Sequence, residues 1–425
     1  AVLAIAIPFG AIVAKVFSEI LDETPRAPLQ ALLNSGVSPL SALLYGLLPQ
    51  ALPNLLSYGF YRFECSLRSA AVLGIIGAGG LGYEIFLSLQ SLRYEQLWTG
   101  FYALIVLNGA IDAWSAWVRR RMGYTSRLAI NLNAAAREAI PTSAAARKSL
   151  RARSDWLLRL SWAGVALAVP LCFAALDLDW SQLWASRTQR LWAEVSAAAT
   201  PQVPDSQALL ELVRMSGLTV AMSVLAIAIA GLGGILLSFP AAQNFLGPGG
   251  LLRPLGEHRQ RWAWAATAAL LVSRFGLLVS RAIPAPIWAL VFLFILFPGI
   301  LPGALALAMH NLGILGRLMA ESNETLDQKP IRALRTLGAS SGQVVLYGIL
   351  PQNLARFLAY ILYRWEVCTR ETVIVGLVGA GGLGRLLTEQ LSSFDYANLT
   401  VTLAAFVALT LGVDLISQQM RNAIR

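Results

Sequence analysis

The chain has 425 residues, of which 56% are hydrophobic and only 13% are charged, and its mean hydropathy is positive. One globular core of this length would not use so much apolar surface, so the composition excludes an ordinary soluble protein and favours a membrane protein. The formal net charge is +10, but nearly all of the excess lies in one segment between apolar runs, so nucleic-acid binding is not expected.

Apolar segments that can cross about 30 Å of hydrocarbon as helices recur along the chain. A further stretch, 262–300, is apolar over nearly two helix lengths and contains Pro284 and Pro286, which predicts a broken or partly re-entrant passage. The fold class is therefore all-α, a polytopic transmembrane helical bundle. The predicted membrane helices are 1–17, 42–61, 98–118, 156–176, 219–240, 301–319, 344–363 and 399–417.

The chain contains two parallel repeats. Shifting the sequence by 302 positions aligns its start with its end without a gap, so that GLLPQ at 46–50 falls on GILPQ at 348–352. The sequence GAGGLG occurs in both copies at the same offset, at 77–82 and 379–384. Self-similarity of this kind indicates two homologous units joined in tandem.

A basic segment separates the repeats. Between residues 118 and 160 there are ten Arg or Lys residues against Glu138 and Asp155, a net charge of +8. Such loops between membrane helices lie on the cytoplasmic side, so we expect this segment inside the cell. Because the first copy holds only what corresponds to Gly303 onward, its N-terminal part is expected to be missing. The expected domains are a first unit at 1–123, a basic linker at 124–155 and a second unit at 156–425.

Each repeat contains a short predicted helix on the cytoplasmic side, at 28–34 and 330–337. Both have proline near the first turn and glycine after the end, at Gly36 and Gly338, which are typical start and stop signals. After nine intervening residues, each repeat has a Gly-x-Leu-Pro sequence that ends at Pro49 or Pro351.

This spacing resembles the EAA loop of ATP-binding-cassette (ABC) importer permeases, whose coupling helix docks into a groove on the ATPase subunit. Where that family has its glutamate this chain has Gln30 and Arg332, but the alanine is kept at Ala31 and Ala333. The sequences YRWEVCTRETVIVGLVGAGGLG and YRFECSLRSAAVLGIIGAGGLG are similar to the phosphonate and phosphite branch of the family. The resemblance implies a type I ABC importer permease fold, with both half-permeases fused in one chain, in the bacterial plasma (inner) membrane.

The resemblance also implies partners. Two ABC ATPase subunits would carry ATP and Mg²⁺, an extracytoplasmic solute-binding protein would deliver the solute, and membrane lipid would surround the chain. No cofactor is expected on the chain itself, and no bond chemistry. The residues expected to couple to the ATPase are Gln30, Ala31, Gly36, Pro49, Arg332, Ala333, Gly338 and Pro351.

The two GAGGLG sequences satisfy the spacing G-x-G-x-x-G, which raises the question of a nucleotide site. A dinucleotide-binding loop needs a soluble βαβ unit, whereas the flanks here are membrane helices. No G-x-x-x-x-G-K-[ST] sequence occurs, so ATP hydrolysis by this chain is not expected. Glycines at this place indicate either an irregular backbone at a translocation gate or a tight helix crossing. The expected gate glycines are Gly77, Gly79, Gly80, Gly82, Gly379, Gly381, Gly382 and Gly384.

Charged residues recur beyond the repeat-matched proline of each copy. At about 1.5 Å of rise per residue they lie roughly 20 to 28 Å from the inner end of the helix, in the outer half of the bilayer. Such charges either line a pathway or form structural pairs. Four arginines and two glutamates give a net +2, which suits a small anion that guanidinium groups bind through two oxygens. These residues are Arg62, Glu64, Arg68, Arg364, Glu366 and Arg370.

The sequence thus predicts the permease subunit of an importer for phosphonate, phosphite or a related small oxyanion. An ABC permease for another solute such as methionine, an ion-coupled secondary transporter with parallel repeats, and a membrane oxidoreductase that uses GAGGLG are the alternatives. Three cysteines without CxxC spacing and two distant histidines predict no metal site. His310 is expected to be a hydrogen-bonded core residue or to line the conduit.

Overall fold

The computed structural model of the chain describes residues 2–121, 155–175, 181, 184–198, 205–247, 250, 259–326 and 328–424. Within these ranges the chain forms helices and turns without any strand, so the predicted all-α class is confirmed. The predicted basic linker, 124–155, lies outside the described residues apart from Asp155. The chain divides into two units, Ala1–Leu178 and Asp179–Arg425, while the domain boundaries expected at 123 and 156 stay predictions.

The first unit alternates long helices with short ones. A π-helical turn at Leu43–Leu47 precedes its central helix, and a second one at Gly74–Ala78 follows it. The helices are α1 (Val2–Glu23), α2 (Ala27–Asn34), α3 (Pro39–Ala42), α4 (Leu48–Leu73), α5 (Leu81–Gln90), α6 (Tyr94–Arg121) and α7 (Asp155–Ala175).

The second unit begins with further helices and then repeats the order of the first. Its π-helical turns lie at Val344–Ile349 and Gly376–Ala380. The helices are α8 (Ser186–Ala198), α9 (Ser206–Ala241), α10 (Gln243–Leu246), α11 (Arg259–Ala282), α12 (Ala285–Leu296), α13 (Ile300–Glu324), α14 (Gln328–Thr336), α15 (Ser341–Gln343), α16 (Leu350–Val375), α17 (Gly382–Ser392) and α18 (Tyr396–Ile424).

The repeat seen in the sequence is therefore a repeat of structure. Helices α13 to α18 follow one another as α1 to α6 do, and α16 coincides with α4 at both ends when the offset of 302 is applied. The two parallel repeats are confirmed at the level of their elements.

Six helical segments in the described part of the chain are long and apolar enough to cross a membrane. Many large hydrophobic side chains are exposed on them, as expected where lipid is the solvent. The other predicted membrane segments are helical where the structure describes them: 42–61 in α3, the first π-helical turn and α4, 98–118 in α6, and 156–175 in α7. The six segments are Val2–Asp22, Ser206–Ala241, Trp264–Ala282, Ile300–Glu324, Ser341–Ala380 and Tyr396–Ala423.

The passage at 262–300 is broken where the prolines predict it. Helix α11 ends at Ala282, Pro284 has an extended backbone (φ −60°, ψ 148°), and α12 begins at Ala285. In a continuous helix the N–H of Ile287 would donate to Ile283, but at the break it donates to Pro284 instead, so the carbonyl oxygen of Ile283 needs another partner. The Nδ1 atom of His310 lies 3.0 Å from that oxygen, and His310 is buried, as expected for a hydrogen-bonded core histidine.

The centre of the second unit is the contact between α9 and α13. Buried alanines on both helices, among them Ala226, Ala230 and Ala306, form one cluster with Leu307. At Gly234 an added Cβ atom would lie 3.2 Å from the backbone nitrogen of Gly316. Small residues let two backbones approach closely in a membrane protein, where helix association rests on packing.

Candidate functional site

The glycine sequence of each repeat interrupts the helix before it. In the second unit, Gly379, Gly381 and Gly382 have φ angles of +104°, +90° and +69°, a region that residues with a side chain rarely adopt. In the first unit the matching angles, at Gly77, Gly79 and Gly80, are +104°, +84° and +77°. The predicted bend is present in both copies, and the role of these glycines in gating stays a prediction.

The last glycine of each GAGGLG sequence meets a different requirement. Gly384 is helical, and a Cβ atom there would collide with the carbonyl oxygen of Val373 and lie 2.8 Å from the Cα atom of Gly376. Gly82 meets the carbonyl oxygen of Ala71 in the same way. The motif therefore combines a left-handed backbone with a close helix approach, the two uses of glycine that the sequence left open.

Thr219 of α9 binds the glycine break of the second unit. Its Oγ1 atom accepts a hydrogen bond of 2.9 Å from the backbone N–H of Leu383, an amide of the first turn of α17 that has no partner within the helix. Thr219 is buried. Sequence reasoning missed this residue and the helices α5 and α17, because a threonine in a long apolar segment gives no signal of a partner 164 residues away.

The two short helices predicted to face the cytoplasm are present as α2 and α14. Each ends at a glycine with positive φ, +83° at Gly36 and +82° at Gly338. The backbone N–H of Ala339 donates to the carbonyl oxygen of Leu334 at 3.1 Å, the hydrogen bond typical of a helix that ends in a left-handed glycine. Start and stop signals in the sequence thus located both helices within about two residues.

The residues predicted to couple to the ATPase lie on or next to these helices. Gln30, Ala31 and Ala333 are exposed, Gly36 and Gly338 follow the helix ends, and Pro49 and Pro351 stand in the first turns of α4 and α16. Arg332 is part of α14, with a side chain outside the described set. The sequence reasoning missed two equivalent tyrosines in the same loops, Tyr45 and Tyr347, which are 80% and 69% exposed.

The inner face of α14 is part of a hydrophobic cluster. Ile331 is buried there with Phe245, Ala320, Val344 and Ile349. These residues come from α10, α13 and the π-helical turn before α16. A displacement of α14 therefore reaches several membrane helices directly, since close-packed side chains transmit strain.

The charged residues predicted in the second unit, Arg364, Glu366 and Arg370, each belong to an ion pair. The guanidinium of Arg364 donates to Asn311 Oδ1 through Nε and Nη2, at 2.8 and 2.5 Å, and its Nη2 lies 3.4 Å from Glu371 Oε1. Arg370 pairs with Asp414 at 2.6 Å, and Glu366 pairs with Arg421. Arg364 and Glu366 are buried, so each charge has the partner that burial requires.

The matching region of the first unit is built differently. Arg62 donates from Nε to the hydroxyl oxygen of Tyr58 at 2.7 Å. Its guanidinium carbon lies 5.8, 5.3 and 6.0 Å from the ring centres of Phe9, Tyr58 and Tyr61, within the range of cation–π attraction. Glu64 is buried and Arg68 is half-buried.

Arg364 bonds to Asn311, which is near the middle of the 25-residue helix α13. The position of these charges in the outer half of the bilayer stays a prediction. The six predicted residues carry a net charge of +2, and the net charge is +1 when Glu371, Asp414 and Arg421 and their counterparts in the first repeat are counted as well.

No group of three or more His, Cys, Asp or Glu side chains that could hold a metal ion occurs among the described residues. The three cysteines are free, and Cys368 is buried.

Residues 1–124 and 265–424 match the family described as "Binding-protein-dependent transport system inner membrane component". The phosphate-import permease protein PhnE of Mycolicibacterium smegmatis is 28% identical over 428 residues, which cover 100% of this chain and 72% of that protein. The phosphite transport system permease protein PtxC of Stutzerimonas stutzeri is 32% identical over 204 residues, 48% of this chain and 68% of that protein.

Among solved structures, an inward-facing form of the MetNI methionine ABC transporter aligns with a TM-score of 0.44 and 18% identity. The alignment covers 52% of this chain and 100% of that chain.

Proposed function

This chain belongs to the family of binding-protein-dependent transport system inner membrane components, and on that premise we propose that its solute is phosphonate, phosphite or a related small oxyanion. As a member of that family it is the multi-pass inner-membrane permease subunit of an ABC importer and not an enzyme. The observation that carries the proposal is the full-length similarity to a phosphate-import permease together with the similarity to a phosphite permease.

Two ATPase subunits and one extracytoplasmic solute-binding protein are the proposed partners. The ATPase subunits would bind ATP and Mg²⁺ and contact the two short helices α2 and α14 on the cytoplasmic side. Support comes from the matched glycine caps of these helices and from the exposure of Ala31, Ala333, Tyr45 and Tyr347. ATP-driven closure of the ATPase pair would push both helices, and the cluster around Ile331 would pass that movement to the membrane helices.

The glycine breaks are the proposed gate. Each follows a long membrane helix and precedes a short one, and its backbone has a conformation that only glycine adopts easily. Switching between outward and inward access would use these breaks as hinges while the cytoplasmic helices move. The charged residues in the middle of α4 would set the electrostatic character of the solute path, whereas those of α16 are held in ion pairs.

The test is reconstitution of the full-length chain with its ATPase subunits and solute-binding protein in liposomes. We expect ATP-dependent uptake of phosphite, methylphosphonate or inorganic phosphate, and none without the ATPase subunits. Uptake driven by an ion gradient without ATP would contradict the proposal, as would ATP-dependent uptake confined to methionine or another solute without an oxyanion group.

A further inference from the structure

We infer that the two repeats differ in net charge at their matched positions, and that Arg62 is the arginine that binds the solute, together with the neighbouring hydroxyl of Tyr58. Arg364, which stands at the equivalent position, is a structural residue. This inference rests on the oxyanion function proposed above and assigns the binding to one place in the first unit.

The first step is the charge balance of the two repeats. In the second unit three arginines face three carboxylates, and each carboxylate meets an arginine. In the first repeat the same positions hold three arginines and only two carboxylates, because Ser69 stands where the second repeat has Glu371. One positive charge is left over. The matched positions are Arg62, Glu64, Arg68, Ser69, Asp112 and Arg119 against Arg364, Glu366, Arg370, Glu371, Asp414 and Arg421.

The second step is where that charge lies. Arg364 cannot offer both terminal nitrogens to a ligand, because Asn311 accepts from its Nε and Nη2 atoms and Glu371 lies beside Nη2. At the position of Asn311 the first repeat has Phe9, which has no acceptor. The guanidinium of Arg62 stands over the ring of Phe9 at 5.8 Å instead. The excess charge is therefore on Arg62.

The third step is the set of donors that remains. The ring centres of Phe9, Tyr58 and Tyr61 lie 5.8, 5.3 and 6.0 Å from the guanidinium carbon of Arg62, and cation–π attraction does not use up an N–H donor. Its Nε donates to Tyr58, and no carboxylate or other acceptor among the described residues contacts Nη1 or Nη2. The Tyr58 hydroxyl accepts that bond and keeps its own hydrogen to donate.

This arrangement fits one class of ligand. A tetrahedral oxyanion presents two oxygens on one edge, which match the two terminal nitrogens of a guanidinium, and a third oxygen can accept from a tyrosine hydroxyl. The site thus favours phosphite, phosphonate or phosphate.

The experiment uses the reconstituted full complex with radiolabelled inorganic phosphate, phosphite and methylphosphonate. For Arg62→Ala we expect uptake to fall about tenfold or more, the loss of a charge-assisted hydrogen-bond pair. The ATPase rate with loaded solute-binding protein should stay within about twofold of the wild type, because assembly does not depend on this residue. Arg385→Gln, which removes one side of an exposed ion pair on α17, is the control for loss of an arginine.

A second pair of variants tests the charge without removing Arg62. Ser69→Glu places the carboxylate of the second repeat seven residues from Arg62, the spacing at which Glu371 reaches Arg364. We expect it to lower uptake by a factor similar to that of Arg62→Ala, while the neutral Ser69→Gln stays close to the wild type. Equal losses for the two Ser69 variants would overturn the inference, because a steric effect would then explain both.

The remaining outcomes separate this inference from the function on which it rests. The double variant Arg364→Gln with Glu371→Gln should lose far less uptake than Arg62→Ala. If it loses as much in an intact complex, or if Arg62→Ala transports like the wild type, the inference fails and the importer function stands. If the wild-type complex takes up none of the three oxyanions, the proposed function itself fails.

Discussion

Individual side chains in this protein show why equal sequence motifs need not have equal roles. Within GAGGLG, three glycines supply left-handed backbone, whereas Gly384 supplies room for the carbonyl oxygen of Val373. The equivalent arginines Arg62 and Arg364 differ in the same manner, because their neighbours are Phe9 in one repeat and Asn311 in the other. What a residue can do here depends on its contacts more than on its place in the motif.

The close approach at Gly384 can be tested with the smallest possible addition. Gly384→Ala inserts a methyl group against backbone atoms that cannot move aside, and we expect a loss of about 1 to 3 kcal/mol in stability. Gly412→Ala on α18 is the matched control, since nothing lies within 4 Å of the added methyl group. The measurement is the melting temperature of each purified variant in detergent, and equal melting temperatures would contradict the packing argument.

The ion pair of Arg364 allows a test of its structural role. Arg364→Ala leaves Glu371 and Asn311 without their guanidinium partner inside the membrane bundle, and we expect a loss of about 3 kcal/mol or more. Arg364→Gln combined with Glu371→Gln removes both charges and should recover most of it. Detergent-extracted yield and melting temperature report the difference. A double variant as unstable as Arg364→Ala would show that charge balance is not what this pair provides.

The short helices α2 and α14 are held both by their own caps and by contacts with other elements. Their caps are local, as the φ angles of Gly36 and Gly338 show, but the buried residue Ile331 of α14 belongs to a larger cluster. An added Cβ atom at Gly348 would lie 2.9 Å from a methyl group of Leu334, so the loop that precedes α16 rests directly on α14. Such a contact holds the short helix in a defined position, which a force-transmitting element needs.

The caps provide a test of coupling. Gly36→Val and Gly338→Val put a β-branched residue at φ near +80°, where it is strained, so we expect the short helices to lose their position and ATPase subunits to dissociate. Gly342→Ala in the same loop has open space around it and no positive φ and should leave association unchanged. Co-purification of tagged permease with the ATPase subunits is the measurement. Full retention by both valine variants would argue against the docking role.

The molecule as a whole carries two copies of one element order in a single chain. On the proposed function, each copy of the short helix would contact one ATPase subunit. The second unit also has contacts absent from the first: Asn353 donates to Asn323 at 2.7 Å, where the first repeat has Ala51 and Leu21. The two halves are therefore related in fold and distinct in their polar networks.

This tandem arrangement predicts a stoichiometry. The purified full-length complex should contain one permease chain for two ATPase subunits, because both short helices come from the same polypeptide. Native mass spectrometry in detergent measures this directly, and disruption of one cap, as in Gly338→Val, should yield a species with a single ATPase subunit. A complex with two permease chains would contradict the prediction.

Much of this protein follows from local patterns in its amino acids. Long apolar runs define the membrane helices, prolines locate the break at Pro284, and glycine caps locate α2 and α14, because each feature depends on residues within a few positions. The match of the sequence with itself at an offset of 302 positions predicted the duplicated order of elements. Partners distant along the chain, such as Thr219 for Leu383 and Asn311 for Arg364, follow from no such pattern. They depend on which helix faces pack together, so the different surroundings of Arg62 and Arg364 became visible only in the folded molecule.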